Sequence, residues 1–316
     1  MNRLRLPTFG GLGATVGIVF SLLAAFWILM MILLPVSYMV DFSFRYDLPP
    51  GKIGGPEDVH TLDNYRFLLF GPKGSPETLS ILGFEFKANV LHLNVFFKTI
   101  LAAVLVTIID FCICYPVTYY MAQKAGGGTA RLMAVCLILP FWVNEILRAF
   151  AFRILLGTGG VVNTTLMDVG LLTEPIDFIR LDIALYAGLS YAYILLMIFP
   201  LYNALESLDR NQIEAARDLG APTWRIHWRV VMPHAKAGIA SGCTMVFMLA
   251  VGALAMPQIL GGPSNLWFTQ VIYDRFNTSL NWPLGAAYAF VLLTTCIVFV
   301  LLVMRLFRVN LGEIAK

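Results

Sequence analysis

Charge is scarce in this sequence. Asp, Glu, Lys and Arg make up only 13% of the 316 residues, while 59% are hydrophobic; a soluble domain carries about 25% charged residues. That balance excludes a soluble enzyme and reads as an integral membrane protein. The net charge of +3 excludes a strongly basic nucleic-acid-binding face. Cysteine is also rare. Cys112, Cys114, Cys136, Cys243 and Cys296 all lie inside apolar runs, where they read as small buried hydrophobes rather than a disulfide framework. Cys112 and Cys114 are two apart, so on a helix they face nearly opposite ways and cannot chelate one metal. His60, His92, His227 and His234 are far apart in sequence and lack metal-ligand spacing. There is no Gly-x4-Gly-Lys-Ser/Thr; Gly71-Pro72-Lys73-Gly74-Ser75 has the wrong spacing, so the chain is not its own P-loop ATPase. No Ser/His/Asp set or paired carboxylates stand in a catalytic context, and the expectation is a non-enzyme with no bound cofactor.

What the chain has instead is long apolar runs. A bilayer core needs about 20 apolar residues in a helix. Six segments meet that length, at Leu12–Val40, Val95–Ala122, Leu132–Leu156, Ile183–Leu205, Ala237–Gln258 and Pro283–Phe307. The sequence therefore predicts an all-α polytopic membrane protein of six transmembrane helices. The third run is the least regular: Pro140, Asn144, Glu145, Arg148 and Arg153 interrupt it, so its second half is expected to leave the membrane or line a polar cavity. Asn2-Arg3-Leu4-Arg5 before the first run resembles a signal peptide, but the run is too long and has no small-residue cleavage site, so an uncleaved first span is expected. An even number of spans puts both termini on one side. That side carries Arg3, Arg5, Lys124, Arg131, Arg210, Arg217, Arg225, Arg229, Lys236, Arg305, Arg308 and Lys316, and the excess of positive residues assigns it to the cytoplasm. Residues 1–94 then form a first span and a long external loop, and residues 95–316 the core. The loop is turn-rich at Pro49-Pro50-Gly51 and Gly71-Pro72-Lys73-Gly74; it is either a small external cap or a plain connection.

Between the fourth and fifth runs lies a polar stretch, roughly 206–236, dense in helix start and stop signals. Glu206 to Gly220 holds good helix formers, with Ile213, Ala216 and Leu219 giving a narrow apolar stripe that can fill a groove. Arg210 and Glu214, four apart, are placed to pair. Gly220 suits the left-handed residue that ends a helix. Pro222 then stops propagation, Thr223 is placed to cap a second short helix through Trp224, Ile226 and His227, and Pro233 ends it. The alternatives are a docking surface for another protein or a solvated loop of incidental helicity.

Read as a string, Glu214-Ala215-Ala216, three residues, Gly220, nine residues, then Val230-Val231-Met232-Pro233 resembles the EAA loop of ABC-importer permeases of the MetI-like type, with Val and Met in place of the commoner Ile and Leu. Leu139-Pro140-Phe141-Trp142-Val143-Asn144, Gly159-Gly160-Val161-Val162-Asn163, Leu205-Glu206-Ser207-Leu208-Asp209 and Asn281-Trp282-Pro283-Leu284-Gly285-Ala286-Ala287 resemble the spermidine/putrescine branch of that family, from about the second span to the C-terminus. The resemblance implies a permease subunit of a bacterial inner-membrane importer. Its implied partners are a second permease subunit, two ATP-binding cassette ATPases that bind ATP and Mg, a periplasmic substrate-binding protein and the lipid bilayer, with no nucleic acid. It implies that Glu214, Ala215, Ala216, Asp218, Leu219, Gly220 and Pro233 form the element the ATPases grip, and that their closure drives a rigid-body switch between inward and outward openings.

A charge in mid-membrane costs about 2.5–3.5 kcal/mol and usually faces a cavity or a partner. Asp110, near the middle of the second span, is the clearest case: for a polyamine it is a candidate to hold an ammonium group, the alternatives being a hydrogen bond within this chain or a pair with the partner permease. Glu145 is a second candidate, although Arg148, three residues on, is placed to pair with it. Trp142, Tyr191 and Tyr193 are candidates for cation–π contact with an alkylammonium, or simply pack. Other classes stay open: an importer of another small solute such as an opine, an amino-acid derivative or a metal complex, and a self-sufficient secondary carrier or channel, against which the lack of an internal repeat weighs.

Overall fold

The computed structural model describes residues 12–52, 54–72, 78–81, 84–87, 89–262 and 265–309. The chain begins with helix α1 (Leu12–Ile28), which passes through a π-helical turn at Leu29–Leu33 into α2 (Leu34–Ser43). Residues Val16 to Leu34 on this rod are almost all exposed and apolar. In a bilayer such side chains need no protein partner, because lipid tails are as apolar as leucine. The rod packs on the rest of the described chain chiefly through α2, against the last helix.

The loop after α2 is folded in its first half, not a bare connection. Helix α3 (Asp63–Phe70) is tied back to the end of α2. Asn64 donates to the carbonyls of Ser43 (2.9 Å) and Arg45 (2.8 Å), and the Ser43 and Tyr65 hydroxyls are 2.6 Å apart. Arg45 bridges Asp41 (2.7 Å) and Asp58 (2.5 Å). Partial burial pushes the Tyr65 phenol above its ordinary range. A short antiparallel hairpin follows, β1 (Thr78–Ile81) with β2 (Phe84–Lys87), in the register Thr78 to Lys87 and Ile81 to Phe84. It is the one paired sheet among the described residues of an otherwise helical chain.

Helix α4 (Val90–Tyr119) is longer than the apolar run predicts at its start and ends in a π-helical turn at Tyr120–Lys124. Asn89 caps it, accepting from the His92 amide. The third run is sharply broken. Helix α5 (Gly127–Ile138) and the 3-10 turn Leu139–Trp142 meet α6 (Glu145–Leu156) and α7 (Val161–Asp168) at a 94° bend. Pro140 starts the 3-10 turn, and the Asn144 side chain caps α6 by accepting from the Ile146 amide (2.8 Å). Arg153 of α6 donates to the Ile259 carbonyl.

Helix α8 (Ile183–Glu206) leads into the polar elbow: α9 (Arg210–Asp218), α10 (Thr223–Ile226), a π-helical turn His227–Val231 and α11 (Met232–His234). After a 75° bend comes α12 (Lys236–Gly252). The fifth run does not continue to Gln258 as one helix. It stops at Gly252, and α13 (Ala255–Leu260) starts anew after Ala253 and Leu254. Finally α14 (Phe268–Asn277) precedes α15 (Trp282–Phe307), which Asn281 caps.

The core lies where α4, α8 and α12 meet. The most extensive helix–helix contact is between α8 and α12. Gly238 and Gly242 stand one helical turn apart on α12, a small-xxx-small pair. A Cβ on Gly238 would collide with the Pro200 carbonyl and the Ala204 side chain, and one on Gly242 would sit 2.7 Å from Met197 Sδ. Aromatic contacts tie on the last helices: Phe247 stacks on Phe299, Phe268 on Tyr288, and the Phe268 amide donates to Thr99 Oγ1 (2.9 Å). Among the described residues, four helices are long and apolar enough to cross a membrane, and counting each bent pair as one span makes six.

Candidate functional site

The polar elbow between α8 and α12 is built by its own sequence. Asp209 caps α9 by accepting from the Asn211 amide (3.0 Å). At the other end Leu219 is the C-cap and Gly220 takes φ +77°. The Gly220 amide donates to the Arg217 carbonyl (2.9 Å) and the Ala221 amide to the Ala216 carbonyl (3.1 Å). Those two bonds are the Schellman closure, which needs a left-handed residue and so favours glycine. Thr223 is the first residue of the next helix rather than its cap; Pro222 occupies the cap position with no side-chain hydrogen bond. Pro233 lies within α11, and the chain turns at Ala235.

The apolar stripe splits by depth. Ile213 is buried in the core, Ala216 is half-buried against it, and Leu219 is 88% exposed. Ile213 thus anchors α9 to its own bundle and does not reach outward. Glu214, Ala215, Asp218, Gly220 and Pro233 are exposed, and so are Trp224 and Trp228, one turn apart. Arg210 does not pair with Glu214. Its guanidinium instead donates to the Ala122 carbonyl (3.4 Å).

That bond is one of several latches between the elbow and the end of α4. Gln123, buried, donates to the carbonyls of Leu205 (2.6 Å) and Leu208 (3.1 Å). The Tyr115 hydroxyl and His227 Nδ1 are 2.7 Å apart, and the Tyr119 ring meets the His227 ring edge-on at 4.5 Å. Within the elbow Ser207 Oγ and His234 Nε2 are 3.0 Å apart. Sequence reasoning missed Gln123, Tyr115 and His227. A glutamine or a tyrosine at the end of an apolar run announces no partner, because the partners lie about a hundred positions away in the chain.

The polar residues of the spans do not form one cluster. Asp110 is wholly buried, and neither carboxylate oxygen has a hydrogen-bond partner. The Ser190 hydroxyl is the polar group beside it, near the carboxylate but outside good hydrogen-bond geometry. Ser190 and Tyr191 also line an apolar groove of about 540 Å³ between α4 and α8. Near the 94° break a second set gathers. Tyr193, buried, donates to Glu145 Oε1 (3.4 Å). Arg148 forms no ion pair with Glu145; its guanidinium sits over the rings of Phe141 (5.6 Å) and Tyr191 (5.9 Å) and donates to the Ala192 carbonyl (3.4 Å). Trp142 is 84% exposed and belongs to neither set.

Comparison with known proteins agrees with this architecture. Residues 90–309 match the family described as binding-protein-dependent transport system inner membrane component. The chain is similar to the spermidine/putrescine transport system permease protein PotB of Haemophilus influenzae, 32% identical over 94% of this chain and 93% of that one. PotB of Escherichia coli is 31% identical over 83% of this chain and 86% of its own length. Among solved structures, a bacterial alginate ABC transporter in complex with its alginate-bound periplasmic protein superimposes with a TM-score of 0.70 at 14% identity, covering 94% of this chain and 96% of that chain. An inward-facing MetNI methionine transporter gives 0.52 at 19% identity over 68% of this chain and 94% of that chain; both show the shared fold. The chain belongs to the inner-membrane permease components of binding-protein-dependent ABC transporters.

Proposed function

We propose that this chain is a permease subunit of a polyamine importer, carrying spermidine and putrescine inward across the inner membrane. The identity to spermidine/putrescine permeases along nearly the whole chain carries that reading. The four long apolar helices and two bent pairs are read as six spans with both termini in the cytoplasm. The elbow at 206–236 then faces the cytoplasm. Its exposed rim of Glu214, Ala215, Asp218, Leu219 and Gly220, with Pro233 at its far end, is the surface gripped by one of two ATP-binding cassette ATPases, the other gripping the second permease; ATP and Mg are bound by the ATPases and not by this chain. A second permease subunit completes the pathway, and a periplasmic binding protein delivers substrate to the external side, where the cap of residues up to 94 stands.

The latches give the elbow something to move. Arg210 of α9 bonds Ala122, His227 of the elbow meets Tyr115 and Gln123 holds the end of α8, so a push on the elbow reaches α4 and the π-helical turn that ends it. Helix α4 carries Asp110, and α8 carries Tyr191 and Tyr193. With Glu145, and with Trp142 exposed beside the break, these are the residues we assign to the pathway. A rigid-body switch of such elements is the general way a closing partner is converted into alternating access.

The experiment is uptake of labelled putrescine and spermidine in cells with and without this gene. Loss of uptake, restored by the wild-type chain but not by Glu214→Lys, is the expected result. Unchanged uptake of both, in cells with no other polyamine system, would remove the substrate assignment.

A further inference from the structure

Arg148 is a poorly satisfied charge beside the 94° break. It is 8% exposed, its Nε has no hydrogen-bond partner, and a single 3.4 Å bond to a carbonyl serves a guanidinium with five donors. A carboxylate is available one helical turn away, yet Glu145 accepts from Tyr193 instead. Burying a charge without a counter-ion is costly, so something other than an ion pair keeps Arg148 in place. That something is aromatic. Its guanidinium lies over two rings, Phe141 at 5.6 Å and Tyr191 at 5.9 Å. Cation–π contacts of this kind gain strength as water is removed.

Two aromatic faces with a carboxylate in the next turn are also what a primary alkylammonium needs. We propose that Phe141, Tyr191 and Glu145, with Tyr193 orienting the carboxylate, form a subsite for an ammonium end of the substrate, and that the chain's own Arg148 occupies it until substrate enters. The inference rests on the polyamine reading above. The placement suits a displaceable plug. Phe141 precedes the 94° break, Arg148 follows it on α6, and Tyr191 comes from α8. A change of angle at Val143 and Asn144 therefore separates Phe141 from the guanidinium without unwinding either helix, and a shift of α6 against α8 frees Tyr191. While in place, Arg148 also repels a second cation, so a polycation enters only when the break opens.

The test uses the complete transporter, permease pair and ATPases, in lipid nanodiscs without the binding protein, and measures binding of labelled spermidine. Arg148→Met removes a buried unpaired charge, a change that tends to preserve or raise stability. It is expected to bind spermidine about tenfold more tightly than wild type, the equivalent of one cation–π contact of about 1.4 kcal/mol. Adding Glu145→Gln to it is expected to abolish the gain. In Arg148→Ala, free guanidinium chloride is expected to restore the weak wild-type binding, while sodium chloride at the same concentration does not. Arg148→Lys keeps the charge but loses the planar group, and an intermediate affinity is expected; it carries the test if the shorter variants do not assemble. Equal affinity in wild type and assembled Arg148 variants, or guanidinium acting no better than sodium, overturns the plug. Failure of the polyamine reading looks different: the wild-type complex supplied with its binding protein then moves neither putrescine nor spermidine, and the plug falls with it.

Discussion

The Tyr115 hydroxyl and His227 Nδ1 stand 2.7 Å apart, joining helix α4 to the π-helical turn in the second half of the elbow. Tyr115 is little more than one helical turn beyond Asp110 on the same helix. Motion of the elbow therefore has a short, stiff route to the buried carboxylate. Tyr115→Phe keeps the ring and removes the bond, a net loss of about 1 kcal/mol. The expected outcome is a several-fold fall in substrate moved per ATP hydrolysed, with ATP hydrolysis itself retained. Uptake and hydrolysis measured together in reconstituted vesicles check it; an unchanged ratio would reduce the bond to packing.

Gly220 tests the backbone rather than the contact. A Cβ there has open space, so the cost of substitution is the left-handed φ of +77°. That cost is of order 1–2 kcal/mol for most residues, with Asn among those that bear it best. Uptake is expected to fall in the order Gly220, Asn, Ala, Val. A Val variant as active as the Asn variant would show that the turn does not matter.

Glu214 is exposed and joins no ion pair, Arg210 being engaged with Ala122. Exposed substitutions of this sort change stability by no more than about 0.5 kcal/mol. Glu214→Lys is therefore expected to leave thermal unfolding in detergent unchanged while abolishing uptake. Normal uptake in a well-expressed variant would count against docking on this face.

Gly238 is expected to behave in the opposite way. Gly238→Leu drives a side chain into Pro200 and Ala204 of α8. Overpacking in a close-packed core costs about 1–3 kcal/mol. A lowered unfolding temperature and reduced yield of folded protein should precede any specific effect on uptake, and Ala204→Gly is expected to relieve part of it.

Asp110 separates stability from function. Both its oxygens are buried without a hydrogen bond of good geometry, so Asp110→Leu is expected to raise the unfolding temperature, because it removes a buried polar group that lacks a compensating bond. Uptake is expected to fall in the same variant and to fall less in Asp110→Asn. Transport kinetics unchanged in both would take Asp110 out of the pathway.

Much of this was legible in the residues alone. Composition and run length specify a helical membrane protein because a bilayer accepts only long apolar helices or closed barrels. The end of α9 is legible for a local reason: Gly220 closes it through backbone bonds to residues at most five positions away. Its start is not: good helix formers run on from Glu206, yet the helix breaks after Glu206 and Asp209 caps a new one. The breaks are only half legible. Pro140 and Asn144 mark the third span as irregular, but no local signal stops α12 at Gly252.

The tertiary structure alone decides which polar residues meet. Arg148 is as close in sequence to Glu145 as a helical ion pair requires, yet it lies on Phe141 and Tyr191. Arg210 is equally well spaced from Glu214 and turns instead to Ala122. In each case a weak local attraction, a few tenths of a kcal/mol on a helix surface, loses to a site assembled from a distant segment. Sequence determines which helices form and where they turn, because those choices rest on neighbours in the chain. Which charges stay unpaired, and so remain free to act, depends on how the 94° break and the α8–α12 contact bring remote side chains together.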